Sequence, residues 1–189
     1  MKHRKHLLLV GLILLVFSII ACSINVGGPA YPAQRIPVST VAVGDLVNSV
    51  GTAEASGLES SQMALTLTEA QLTSFLAYKL QSQSRFQLTD PQVYLRDGEI
   101  QIYATVHQAR LLATVYVAVS AGVDAQGQLQ ITVTSVDFGP LPVPAGLKDA
   151  ITANLQEAYT GAIGPVATSF HLESITIADG LMTIIGRVK

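Results

Sequence analysis

Hydrophobic and polar residues alternate through much of the second half of this chain. From Leu111 to Val123, the residues Ala113, Val115, Val117, Val119, Ala121 and Val123 share one face, the period of two expected of a half-buried strand. Asp124-Ala-Gln-Gly127 turns the chain. Leu129, Ile131 and Val133 then return, with Gln128, Gln130, Thr132 and Thr134 facing away. The phase slips near Ser135 to bring Val136 and Phe138 inward, which predicts a β-bulge. This is a long central hairpin.

Two shorter hairpins are centred on Asp-Gly pairs, which favour a two-residue type I′ turn because both positions need positive φ. In the first, Asp97-Gly98 pairs Arg96 with Glu99, Leu95 with Ile100 and Val93 with Ile102, with an ion pair expected beside the turn. The second runs from Ile175 to Ile184 around Asp179-Gly180. Val93–Ala104 and Ile175–Gly186 align with each other, and each follows a segment of helical period.

The first such segment opens at Thr68-Glu-Ala-Gln71, a capping box in which the Thr hydroxyl and Gln amide each satisfy a backbone N–H. Leu72, Phe75, Leu76 and Leu80 form its apolar stripe. The second starts at Pro144, suited to a first helical turn. It runs to about Gly161, with Leu147, Ile151, Leu155 and Tyr159 on one stripe. Residues 38–52 fit a weak helix interrupted by Gly44 or a strand, and Ala53–Gln62 reads as loop. The fold class is α+β: a long, curved antiparallel sheet packed by two amphipathic helices.

The N-terminus follows another logic. A cationic start, Met1 to His6, precedes 14 mostly apolar residues from Leu7 to Ile20. A bilayer span needs about 20 residues, so this run has the length of a signal-peptide core. Ile19-Ile20-Ala21-Cys22 resembles the lipobox of bacterial lipoproteins. That resemblance implies cleavage between Ala21 and Cys22 and lipidation of Cys22, the only cysteine. Acyl chains contributing about 0.8 kcal/mol per buried CH₂ would make the attachment effectively permanent. Ser23–Gln34, with Gly27-Gly28-Pro29, reads as a flexible tether.

The expected organisation is a signal peptide (1–21), a lipid anchor and tether (22–34), a weakly structured lead-in (35–62) and an α+β domain (63–189). The protein is then extracytoplasmic and membrane-anchored in a bacterial cell envelope.

Composition narrows the function. Only 13% of residues are charged, about half the usual share. Residues 1–21 contain three of the eleven basic residues and none of the thirteen acidic ones, so the body is net acidic. A charge-poor acidic body without basic runs does not fit nucleic acid.

No catalytic signature stands out. His107 and His171 are in neither H-x-H nor H-E-x-x-H spacing, there is no G-x-S-x-G elbow, and Asp97, Asp124 and Asp179 are turn formers. His171 and Glu173 share a strand face, as a metal pair or as solvated strand residues. No catalytic residue, metal site or cofactor is expected.

Leu65-Thr-Leu-Thr-Glu-Ala-Gln-Leu72, Val93-Tyr-Leu-Arg-Asp-Gly98, Val136-Asp-Phe-Gly-Pro-Leu-Pro-Val-Pro144 and Ile175-Thr-Ile-Ala-Asp-Gly180 resemble bacterial extracytoplasmic proteins of the YpmS-like and LmeA-like kind. The likeness covers roughly residues 63–189. It implies a fold related to tubular lipid-binding proteins, binding of phospholipid or a similar amphiphile, and no catalytic residue. The aliphatic faces are then either a closed core or an apolar groove. In a groove, acyl chains would lie along Phe75, Leu76, Leu80, Val115, Val117, Val119, Ile131, Val133, Leu147, Ile151, Leu155 and Tyr159. The alternative is an envelope surface module that binds a protein partner of unknown identity and no small molecule.

Overall fold

The computed structural model of the chain describes residues 24–25, 27–81, 88–108, 111–140 and 169–189. Residues 1–21, expected to be a signal peptide, Cys22 and the helix expected at 144–161 lie outside the described residues. The class is α+β, as expected, with eight strands and two helices among the described residues. The strands divide between two sheets.

The larger sheet contains β3 (Leu88–Arg96), β4 (Glu99–Gln108), β5 (Leu111–Val123) and β6 (Leu129–Asp137), all antiparallel neighbours in that order. A two-residue strand, β1 (Ile24–Asn25), pairs in parallel with the first residues of β5. The smaller sheet is β2 (Gln62–Thr68), β8 (Leu181–Val188) and β7 (Phe170–Ala178), in that spatial order.

Local chemistry sets the hairpin registers. Arg96 pairs with Glu99, Leu95 with Ile100 and Val93 with Ile102. Asp97 and Gly98 have φ of 56° and 77°, and Asp179 and Gly180 have 53° and 78°, as a type I′ turn requires. The expected bulge is present too: Ala118 pairs with Ser135 but Val119 with Val133, so Thr134 is the extra residue. The ion pair differs from expectation. Arg96 faces Glu69 at 3.9 Å, while Glu99 accepts a 2.7 Å hydrogen bond from Thr134.

Helix α1 (Thr40–Ser60) occupies the stretch left between helix and strand, and it continues through residues read as loop. Ser39 caps it, its hydroxyl accepting from the N–H groups of Val41 and Ala42, and Ser61 ends it in the left-handed region at φ 62°. Its buried stripe is Leu46, Val50, Ala53 and Gly57, with small residues at the last two positions. Gly57 faces the Phe170 ring: a Cβ there would lie 2.5 Å from Cε1. Residues 40–60 thus form a packed element, which weak helix propensity does not reveal because tertiary contact supplies the stability.

Helix α2 (Glu69–Gln81) starts at the expected capping box, with Gln71 Oε1 accepting from Thr68 N at 2.9 Å and Thr68 Oγ1 accepting from Gln71 N at 3.2 Å. Leu72 enters the core, but Phe75, Leu76 and Leu80 are only half-buried. The more deeply buried side is polar: Thr73 and Ser74 are fully shielded. Thr73 Oγ1 accepts from Val93 N at 2.9 Å and donates to Val93 O at 3.4 Å, and Glu69 Oε1 accepts from Leu95 N at 2.8 Å. Glu69 and Thr73 are four residues apart, hence on one helix face. They bond the outward backbone of Val93 and Leu95 as a neighbouring strand would.

The smaller sheet closes one end of the larger. Leu172 N–H donates to Gly127 O in the β5–β6 turn at 2.9 Å, and Gly180 N–H donates to Leu95 O at the end of β3 at 3.2 Å. Strand β7 therefore runs between the β5–β6 and β3–β4 turns. One hydrophobic core results, joining Leu46 and Val50 of α1, the inward residues of both sheets and Leu72.

Candidate functional site

The inner face of β4 and β5 divides into two parts. Val117, Val119, Ile131 and Val133 lie in the core shared with the smaller sheet, against which Phe75 and Leu76 also pack. Four of the residues expected to line a groove are thus enclosed between the sheets. Val115 is different. Along with Ala104 and Ala113 it carries the same aliphatic face beyond that core, and all three are buried. Among the described residues the core ends at Ile102 and Val117. Leu80 is half-buried at the far end of α2. Leu147, Ile151, Leu155 and Tyr159 lie outside the described residues.

The opposite face of the larger sheet holds what the sequence reading missed. Tyr94, Tyr103 and Tyr116 come from β3, β4 and β5, with Tyr103 directly paired with Tyr116 in the register. Tyr31 lies on them from the N-terminal segment. The Tyr103 ring is 5.7 Å from Tyr31, 5.8 Å from Tyr94 and 4.9 Å from Tyr116. Aromatic residues at the nominally wet positions of adjacent strands were a legible sign that something covers this face.

That cover is residues 27–39, a strap drawn across the sheet. Arg35 stacks its guanidinium 3.8 Å from the Tyr31 ring centroid and pairs with Asp90. Tyr31 Oη donates to Asp90 O at 3.1 Å and shares a 3.0 Å hydrogen bond with Thr105. Tyr94 Oη donates to Gln34 O at 2.7 Å, and Gln92 bonds both backbone groups of Ile36. Ser39 N–H then donates to Ser74 Oγ, leading into α1.

The glycines read as a flexible tether contribute close approach instead. Gly27 O accepts from Thr114 N at 3.1 Å. Gly28, at φ 125°, lies against the Thr114 backbone where a Cβ would clash, and a Cβ on Gly139 would meet Gly28 Cα at 2.5 Å. Burial under the strap and between the rings pushes the phenols of Tyr31, Tyr94 and Tyr116 above the ordinary tyrosine value. For Tyr116 the nearby Tyr103, Glu99 and Asp97 act in the same direction.

A polar cleft of about 420 Å³ lies where the two Asp-Gly turns meet α2, lined by Glu69, Leu95, Arg96, Asp97, Asp179 and Gly180. Glu69 is committed to Leu95 N and Arg96, and Asp97 and Asp179 hold the positive-φ positions of their turns. Of the pair weighed as metal ligands, Glu173 is ion-paired with Arg187, and His171 rests on Gly127. His107 Nε2 is hydrogen-bonded to Thr89 Oγ1 at 2.7 Å. Among the described residues no group of three or more His, Cys, Asp or Glu side chains could hold a metal ion.

No curated protein matches the chain. A family model does match, over residues 33–187, which extends the likeness read at 63–189 back through α1 and much of the strap. On that match the chain belongs to the LmeA-like phospholipid-binding family.

Proposed function

We propose that this is a lipid-anchored protein of the bacterial cell envelope that holds a phospholipid, or a similar amphiphile, on the inner face of β4 and β5 without transforming it. Family membership supports lipid binding in general. The observation that carries the site is the buried aliphatic strip of Ala104, Ala113 and Val115, which continues past the two-sheet core and which a bound chain would have to enter. From Ala113 to Val115 the strand rises about 7 Å at about 3.3 Å per residue, roughly half the depth of one leaflet of a 30 Å hydrocarbon core. Each methylene moved from water onto such a strip contributes about 0.8 kcal/mol. The lipobox-like Ile19-Ile20-Ala21-Cys22 supplies the anchor in this reading, after removal of residues 1–21.

The test is native mass spectrometry of residues 23–189, purified and then offered phospholipid vesicles. The expected result is a bound lipid mass. Val115→Thr, which keeps the shape but puts a hydroxyl on the strip, is expected to weaken retention several-fold. A clean ligand-free mass with no uptake from any vesicle overturns the reading.

One observation favours a second reading, a surface module for a protein partner. Helix α1 exposes Val41, Val47 and Leu58, at 70%, 60% and 57% of their surface. That reading predicts a lipid-free domain that crosslinks reproducibly through α1 to one envelope protein.

A further inference from the structure

The strap changes how the body can be held on a membrane. Ile24 and Asn25 pair with Leu111 and Leu112, at the very start of β5, and Gly27 bonds Thr114 two residues further on. The chain is therefore tied to the fold almost as soon as it leaves Cys22. Only Ser23 separates Cys22 from Ile24, so their α-carbons are within about 7 Å of each other. A free linker of twelve residues would reach about 40 Å and would leave the body free to tumble. The tied linker does not allow this.

We propose that one pole of the larger sheet, formed by the start of β3, the end of β4 and the start of β5, sits on the phospholipid leaflet that holds the Cys22 acyl chains. The apolar strip then takes its lipid from that same leaflet. The inference rests on the lipoprotein reading of Cys22 and gives it an orientation.

Charge supports the same choice of pole. The acidic turn residues Asp97, Asp124 and Asp179 all lie at the opposite end, where the smaller sheet closes the larger. At the anchored end, Asp90 is neutralised by Arg35, and the sequence joining β4 to β5, Gln108-Ala-Arg-Leu111, carries one basic residue and no acidic one. An envelope leaflet rich in anionic lipid repels the first pole and accepts the second. The strip of Ala104, Ala113 and Val115 lies between the anchored pole and the core.

The experiment uses the full-length acylated chain, reconstituted into vesicles of phosphatidylcholine and phosphatidylglycerol. Cys22 is the only cysteine, and acylation consumes its thiol, so one added cysteine takes a fluorophore without background. Thr89→Cys and His107→Cys report the anchored pole, and Gln126→Cys reports the other. Headgroup-nitroxide lipids are expected to quench the first two several-fold more than the third. Equal quenching at both poles, or stronger quenching at position 126, overturns the orientation when mass spectrometry shows Cys22 acylated. An unmodified Cys22 overturns the anchor and the orientation together. Lipid uptake by the strip is judged separately, by the native mass of the unanchored body. In the variant Gly28→Val, whose side chain would clash with the Thr114 backbone and push the tie off β5, quenching at the two poles should converge; an unchanged difference would show that the tie does not set the orientation.

Discussion

Gln92 stands in for a strand in its pairing with Ile36. Its side-chain carbonyl accepts from Ile36 N–H at 2.7 Å while its amide nitrogen donates to the Ile36 carbonyl at 3.2 Å. Because Gln92 is only 2% exposed, water cannot easily replace it. Gln92→Ala leaves both Ile36 groups without that partner, at a cost of about 1–3 kcal/mol. We expect faster amide exchange across residues 31–36 with little change at β7 and β8. Uniform protection in the variant would mean that the strap is held by its rings alone.

The two-way bond between Thr73 and Val93 is the equivalent device on the edge of β3. Thr73→Val keeps the volume and strands a buried N–H, so a loss of about 1–3 kcal/mol is expected in chemical denaturation. Thr73→Ser should retain most of the stability. A Val variant as stable as the parent would show that the edge needs no partner here.

Two glycines of α1 should respond oppositely to the same change. Gly51 has open space where its Cβ would stand, so Gly51→Ala should stabilise by about 0.5–1 kcal/mol. At Gly57 the added methyl meets the Phe170 ring and Met63, so Gly57→Ala should cost about 1–3 kcal/mol through overpacking. Melting temperatures that move the same way in both variants would contradict this placement of α1.

The phenols of Tyr31, Tyr94 and Tyr116 keep their protons to higher pH in the fold than in the unfolded chain, chiefly because burial disfavours the phenolate. Folded protein thus binds more protons than unfolded protein once the pH passes the ordinary tyrosine value of about 10. Their contribution is complete below that point and is lost as the pH rises through the raised values. Denaturation midpoints should fall above about pH 10, and less steeply in Tyr94→Phe. Identical slopes in the parent and the variant would remove Tyr94 from this account.

Features governed by neighbours in sequence were legible. The Asp-Gly turns, the Thr68 capping box and the slip at Thr134 each follow from a few adjacent residues, and the structure has them where the pattern put them. Features governed by distant partners were not. Helix α1 buries Ala53 and Gly57, which carry little hydrophobic signal, and its reason for being helical is Phe170, far along the chain. The strap depends on Asp90 and Gln92, 55 residues or more from the groups they bind, so its Gly-Gly-Pro looked like slack chain. Helix α2 was read by its leucines, yet Glu69 and Thr73 explain its position, since a strand edge offers hydrogen bonds rather than oil. The candidate strip was visible as alternation at Ala113 and Val115, continuous with Val117 and Val119, but alternation alone does not tell where a second sheet stops covering it.

The sealed margin of β3 matters most under crowding. With the proposed anchor, molecules would share a surface rather than a volume, so neighbours would meet often and in similar orientations. An open strand edge would then template pairing from one molecule to the next. With Thr73 and Glu69 occupying the outward N–H groups of Val93 and Leu95, this stretch of β3 offers no such template. Molecules held on a leaflet by the proposed anchor would therefore collide along this stretch and separate again.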